Sequence, residues 1–260
     1  MTEEAQAQVE GEASPANAEE AMHIHRPKPL HGVREILTEI AVVVIGIAVA
    51  LGGEQALEAL HWRHQTEASE TALKVAYVRE VNNMALRKAQ GACVAARLVA
   101  LSAILEQASA NGRLPPIGDF GRPPSTPWTI GAWDSVVASQ TVSHLPRQKM
   151  LAYTAIAQET AYLSGLGDSQ EDEWTTLQSM AGPARRLSDV EAENLRVTLA
   201  KAVNANRHME TSIEHLSGNV RATELVAEAD FEAAARKAAI AKAKAPICQP
   251  MAAAVAAGPG

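Results

Sequence analysis

The feature that most constrains this chain is an apolar run from Ile36 to Gly53, ILTEIAVVVIGIAVALGG. Its last 14 residues carry no charged side chain. With its flanks the run reaches the about 20 mostly apolar residues that a helix needs to cross a roughly 30 Å hydrocarbon layer. Glu39 and Glu54 then lie near the two ends, where carboxylates reach headgroups or water. The run predicts a transmembrane helix over residues 34–57, with a buried helix of a soluble protein as the alternative.

The basic residues around this run predict its orientation. Arg26, Lys28 and Arg34 precede it, whereas Arg63 is the nearest basic residue after it and has acidic neighbours. Lys and Arg are retained on the cytoplasmic side of a membrane helix. We therefore expect a cytoplasmic N-terminus, with the bulk of the chain outside. A cleaved signal peptide, with an A-x-A site ending at Ala50, is the alternative.

Small side chains mark one face of the predicted membrane helix. Gly46, Ala50 and Gly53 fall at i, i+4 and i+7, a spacing that lets two helix backbones approach closely. Glu39 lies near the end of the same helix and is a candidate to pair with a partner's cation. These four residues are the candidate contacts with a second copy or with another membrane protein, and lipid is the expected surrounding.

Two patches resemble a known group of proteins. The segment from Arg34 to Gly46, REILTEIAVVVIG, resembles the membrane segment of a group of uncharacterised bacterial single-pass proteins with the pattern R-E-x-L-x-E-I, a Val-rich run and Gly. The patch from Trp133 to Ser139, followed by a Leu-Pro pair, is similar to a second segment of that group. The resemblance implies an inner-membrane anchor with an external, periplasmic helical domain, and it implies no activity.

Composition points to an all-α fold. Apolar residues make up 47% of the chain but aromatic residues only 3%, and alanine carries much of the apolar fraction. Such a chain favours helices over strands. The net charge of −7 argues against a nucleic-acid partner, which normally meets a basic face.

The order of signals along the chain predicts four regions. Residues 1–30 are acidic and poor in apolar surface, so we expect a disordered cytoplasmic tail. After the membrane helix, residues 58–245 show helical spacing of apolar positions and predict an antiparallel bundle of three or four long helices. Residues 246–260 are rich in Ala and Pro and predict a loose tail.

Helix starts and breaks are less clearly marked. Ser188 and Glu191 match a capping box, which predicts a helix start. Ser143 is a candidate cap for an earlier helix. Glycines predict a bend over residues 164–167 and a break over residues 217–219.

Residues 111–129 are the clearest loop, because five prolines and three glycines fall within them. A loop of this length is commonly functional or mobile. We therefore take it as the first candidate contact surface, with Phe120, Trp128 and the nearby Trp133 as candidate partner contacts.

Two cysteines, Cys93 and Cys248, both fall on the predicted external side. An oxidising compartment allows a disulfide between them, with two free thiols as the alternative.

No pattern in the sequence identifies a reaction. The chain lacks the nucleophile-elbow, phosphate-loop, zinc-protease and C-x-x-C motifs, so we assign no catalytic residue, metal or cofactor. His23 and His25, and separately Glu58, His61 and His64, have ligand-like spacing. For the second group an interfacial belt beside the membrane is the favoured interpretation.

Three functions are compatible with these features. The leading hypothesis is a membrane-anchored periplasmic module that scaffolds or recruits a partner. A small-ligand sensor domain that works through a membrane partner is the second, and it requires a polar-lined pocket between helices. An enzyme acting on envelope material is the third.

Overall fold

Five α-helices make up most of the described part of the chain, which in the computed structural model is residues 32–251. They are α1 Val33–Asn111, α2 Gly131–Ala138, α3 Arg147–Leu177, α4 Asp189–Ala222 and α5 Glu228–Lys244. Short 3₁₀ turns cover Thr141–His144, Gln178–Met180 and Pro246–Cys248. Two strands, β1 Arg113–Leu114 and β2 Arg185–Arg186, pair antiparallel. The all-α prediction is confirmed. The predicted tail over residues 1–30 and most of the one over 246–260 lie outside the described residues.

The chain divides into two compact units, one ending at Gln55 and one beginning at Ala56. Helix α1 begins in the first unit and is the helix whose length and composition suit a membrane span. An 18-residue window of it has a mean hydropathy of 2.4, and none of that window is buried. The window is therefore not part of a core formed by the described residues. An exposed apolar helix near the N-terminus is expected both for a membrane anchor and for a signal sequence.

The second unit holds its core in two apolar clusters along α1. One contains Leu73, Tyr77 and Ile213, and the other contains Val94, Leu101 and Leu199, each with further side chains from α3 and α4. The helical spacing of apolar residues thus gives each long helix one stripe that packs against the others.

Contacts along α1 give the directions of its neighbours. Glu70 meets Tyr153 and Arg87 meets Gln170, so α1 and α3 run in the same direction. Met84 and Leu105 lie beside Ile213 and Leu199 respectively, so α4 runs opposite to α1.

The expected antiparallel order therefore does not hold for α1 and α3. The reason is the loop between them, which carries the chain back along α1. Asn83 Nδ2 donates to the carbonyl oxygen of Pro127 at 3.2 Å, and an Arg79 guanidinium nitrogen donates to that of Thr129.

Glycines interrupt the helices less than the sequence suggests. Helix α3 continues through residues 164–167, because Leu163 and Trp174 on either side are both fully buried. Helix α4 continues through residues 217–219, where Leu216 and Val220 are fully buried. Each glycine costs only about 1 kcal/mol in a helix interior, which is less than the burial of one large apolar side chain contributes. The predicted break in α4 is wrong, and the chain turns instead between Thr223 and Ala227, whereas the bend in α3 stays a prediction.

One of the two hydrogen bonds of the predicted capping box at the start of α4 is confirmed. The Ser188 side chain accepts a hydrogen bond from the backbone N–H of Glu191 at 3.2 Å. The Glu191 carboxylate bonds to Arg185 of β2 instead of turning back. The predicted Ser143 cap is wrong, because Ser143 lies inside a 3₁₀ turn and α3 begins after Pro146, without a side-chain cap.

Candidate ligand-binding site

The three aromatic side chains predicted to meet a partner are all in the core. Phe120 is fully buried, and Trp128 and Trp133 are 6% and 8% exposed. The prediction is wrong because the loop folds back onto the helices, so its apolar side chains fill the core. The loop's outward surface is polar and proline-rich.

The membrane-helix contact candidates all lie on exposed positions. Glu39, Gly46, Ala50 and Gly53 are exposed, and a Cβ placed on either glycine would meet nothing within 4 Å. This leaves room for a close approach, and their contact with a partner stays a prediction.

The two cysteines are joined. Cys93 of α1 and Cys248 of the last 3₁₀ turn form a disulfide with a Cα–Cα distance of 4.9 Å. One helical turn further along, Arg97 donates hydrogen bonds to the carbonyl oxygens of Ile247 and Gln249. The start of the predicted loose tail is thus fastened to α1.

The proposed metal ligands near the start of the second unit do not converge. Trp62 stacks on His144 with ring centroids 3.7 Å apart, and its indole N–H donates to Glu58 at 3.3 Å. Among residues 32–251 no group of three or more His, Cys, Asp or Glu side chains could hold a metal ion. The His23 and His25 pair lies outside the described residues.

A buried cation stands at the centre of the second unit. Arg87 of α1 is 1% exposed. Its guanidinium donates to Asn206 Oδ1 at 2.7 Å, to Gln170 Oε1 at 3.4 Å and to the Met209 sulfur at 3.0 Å. Burial lowers the pKa of Arg87 to about 10, and the charge of Glu210 opposes this shift. Arg87 therefore remains charged at neutral pH.

A cavity of about 230 Å³ adjoins this cluster. Its walls come from the proline-rich loop, from α3 and from Met209 of α4, and they include Ser125, Ser164 and Asp168. Its most buried lining residues are Trp174, fully buried, Met209, 2% exposed, and Gln170, 4% exposed. Within the described residues, this cavity lies between α3 and α4, is lined by polar side chains and is covered by the proline-rich loop.

The covering loop is fastened at both ends. At its start, Gln178 donates to the carbonyl oxygen of Gly121 at 3.2 Å, and Arg122 pairs with Glu171 at 2.9 Å. At its end, Glu80 of α1 is fully buried and accepts a hydrogen bond from the backbone N–H of Thr129. The segment over residues 123–127, with three prolines, forms the roof between these points.

Several donors at this site have no acceptor within the described protein. They are Nη1 of Arg87, Nε2 of Gln170 and the indole N–H of Trp174. Leaving a buried donor unpaired costs about 1–3 kcal/mol, and such groups often mark a functional site. Gln170 and Trp174 both line the cavity, but these donor atoms themselves are fully enclosed by protein.

Sequence analysis missed this cluster although a signal was present. Gln170 lies seven residues after Leu163 and four before Trp174, so a polar side chain stands in the apolar stripe of α3. Arg87 stands likewise three residues after Met84 on α1. Polar residues at core positions require partners and are candidates for function.

No protein-family model, curated protein or solved structure matches this chain significantly.

Proposed function

We propose that this protein is a single-pass membrane protein whose helical unit, from Ala56 onward, lies outside the cytoplasm. This unit binds a small ligand or a partner protein. The exposed apolar window of α1 supports the anchor. The Cys93–Cys248 disulfide supports an oxidising compartment such as the periplasm of a bacterium. The basic residues before the apolar run support a cytoplasmic N-terminus.

The function that the geometry favours is small-ligand sensing. The observation that carries it is the cavity between the proline-rich loop and α3, whose lining includes the polar side chains of Ser125, Ser164 and Asp168. A pocket between helices with few convergent polar groups is the usual form of a small-molecule site. In this proposal the bound state acts through a membrane partner.

Scaffolding of a partner protein is the second candidate. The exposed Gly46, Ala50 and Gly53 face supports it, because it offers a place for a second membrane helix. The aromatic residues predicted to contact that partner, Phe120, Trp128 and Trp133, are buried, so the proline-rich loop no longer supports this function. In this proposal the protein is not an enzyme.

Topology is tested by protease added to spheroplasts of an expressing bacterium. We expect the unit after Ala56 to be degraded while a cytoplasmic marker survives. A protected C-terminal unit would refute the proposed location.

Binding is tested by a thermal-shift screen of a metabolite library with the full-length protein in detergent micelles. The variant Ser164→Trp fills the cavity, and Ser169→Trp places the same side chain on an exposed position of the same helix. We expect at least one compound that stabilises the wild type and Ser169→Trp but not Ser164→Trp. If no compound behaves in this way, the sensing function is refuted.

A further inference from the structure

The cavity beneath the proline-rich loop contains an indole N–H that is open to solvent. Trp128 lines this cavity and is 6% exposed, and its Nε1–H donates to no acceptor among the described residues. Unlike the corresponding atom of Trp174, this nitrogen is not enclosed by protein. A buried indole usually has a partner for its N–H, so this unpaired and accessible donor marks a place for an acceptor group of a ligand.

The N–H edge of this indole lies against α3. A Cβ placed on Gly167 would lie 3.7 Å from Cδ1 and 3.9 Å from Nε1 of Trp128, so a side chain at this position would cover that edge. Ser164 and Asp168 line the cavity together with Gly167. Because residues three and four apart are neighbours on a helix surface, these positions share one face of α3. The open N–H therefore lies beside a face that carries a hydroxyl and a carboxylate.

The polar side chains around this N–H have unused hydrogen-bonding capacity. The Ser164 hydroxyl and the Asp168 carboxylate form no hydrogen bond or ion pair with the rest of the described chain. The Thr126 hydroxyl, on the loop side of the cavity, is also unpaired within residues 32–251. Glu171, which lines the cavity too, is already paired with Arg122. One indole donor, two hydroxyls and one carboxylate thus border the same space without protein partners.

Charge and hydrogen bonding together favour a neutral ligand that carries hydroxyl groups. An anion would accept from Trp128, but the carboxylates of Asp168 and Glu171 would repel it. A cation would pair with Asp168 and leave the Trp128 N–H without an acceptor. A hydroxyl group both accepts and donates, so hydroxyls satisfy Trp128 and Asp168 at once. The three prolines of the loop add apolar walls for the carbon skeleton of such a ligand.

We propose that this cavity binds a small neutral polyol, with a free monosaccharide as the simplest such ligand. One hydroxyl of the ligand accepts from the Trp128 indole N–H, and a hydroxyl of the same ligand donates to Asp168. The proposal rests on the sensing function proposed above and names its ligand class. The cavity volume of about 230 Å³ lies below the about 300–1,000 Å³ of sites for drug-sized ligands and limits the ligand to a small molecule.

The test is isothermal titration of the full-length protein with neutral monosaccharides, one at a time. The micelles are of a detergent without a sugar headgroup, because a glycoside detergent would compete for the site. For the tightest sugar, the matched uronic acid adds a negative charge, and a deoxy analogue removes one hydroxyl. We expect at least one neutral sugar to bind, its uronic acid to bind at least tenfold more weakly, and at least one deoxy analogue to bind at least fivefold more weakly.

The variant Trp128→Phe removes the N–H and keeps an aromatic ring in place. We expect at least a fivefold loss of sugar affinity, since one hydrogen bond to the ligand is lost. Trp174→Phe is the matched control, because it removes an indole N–H that is enclosed by protein. We expect this control to leave affinity within twofold.

The variant Asp168→Asn removes the carboxylate charge at an exposed position, so folding is preserved if Trp128→Phe proves unstable. Hydrogen bonds to an ionised acceptor are roughly twice as strong as those between neutral groups, and we expect at least a fivefold loss of affinity. Asp172→Asn removes an exposed charge of the same helix that does not line the cavity, and affinity stays within twofold.

The outcomes distinguish this inference from the proposed function. If a library compound binds in a manner sensitive to Ser164→Trp but no neutral sugar binds, the polyol inference fails and the sensing function stands. If nothing binds in that manner, both fail. If the uronic acid binds as tightly as the neutral sugar, or if Asp168→Asn leaves sugar affinity within twofold, the inference is overturned.

Discussion

Replacing Gly121 by alanine tests how the covering loop meets the C-terminal segment. Gly121 has a φ of +71°, a left-handed conformation that a side chain disfavours. A Cβ there would lie 2.5 Å from the backbone nitrogen of Ile247 and 2.7 Å from the carbonyl carbon of Pro246. Backbone cannot rotate away as a side chain would, so the segment that carries Ile247 must move.

The size of the effect follows from two contributions. The left-handed conformation costs roughly 1–2 kcal/mol for a non-glycine residue. Displacing Ile247, which is 2% exposed, loses up to about 1.5–3 kcal/mol of burial. We therefore expect Gly121→Ala to lower the free energy of unfolding by about 3–4 kcal/mol.

A second glycine of the same chain supplies the control. Gly112 has a φ of +63°, but a Cβ there would meet nothing within 4 Å. Gly112→Ala thus isolates the conformational cost, and we expect a loss of about 1 kcal/mol.

The assay is thermal unfolding of the full-length protein in micelles, followed by far-ultraviolet circular dichroism. At about 2–4 °C per kcal/mol for a domain of this size, the midpoint should fall by about 10 °C for Gly121→Ala and about 3 °C for Gly112→Ala. Equal shifts for the two variants would refute the close approach of the loop to the C-terminal segment.

Three further predictions follow from the fold. The double variant Cys93→Ser, Cys248→Ser should lose up to about 5 kcal/mol in the chain-entropy account, since the disulfide spans a sequence separation of 155; an unfolding midpoint that reductant leaves unchanged in the wild type would contradict this. Ser188→Ala should cost about 1 kcal/mol in urea unfolding through loss of the α4 cap, whereas Ser169→Ala on an exposed helix position should cost little, and equal losses would speak against the cap. Burial raises the pKa of Glu80 above the ordinary 4.5, so its folded state binds a proton more readily than the unfolded chain; this contribution to stability is present below about pH 4.5 and is lost as the pH rises through the raised pKa. Glu80→Gln should remove that component of the pH dependence in unfolding titrations, and an unaltered pH profile would show that the carboxylate is already compensated.

Much of the helical fold follows from local patterns in the sequence. The apolar spacing along α1 and the proline cluster over residues 111–129 identify the longest helix and the longest loop. Ser188 identifies the start of α4, because a capping side chain acts on its own first turn. These features depend on neighbours in the chain, and so they are visible without tertiary structure.

The features that sequence analysis missed depend on tertiary contacts. Trp128 looks like a surface anchor in a polar loop, and only the return of the loop along α1 buries it. Gly218 looks like a helix break, but its buried neighbours keep α4 continuous. The cavity arises where α3, α4 and the loop meet, and only Gln170 in an apolar stripe marks it in the sequence.

The disulfide that joins the C-terminal segment to α1 limits when the fold can be completed during synthesis. Cys93 is synthesised 155 residues before Cys248, so the cross-link forms only after the segment between them has been made. Until then the pocket for Ile247 is incomplete, and the exposed thiol is available to oxidoreductases or to a wrong partner. A chain that ends before Cys248 would lack this cross-link and would leave the site of Ile247 in the second core cluster unfilled.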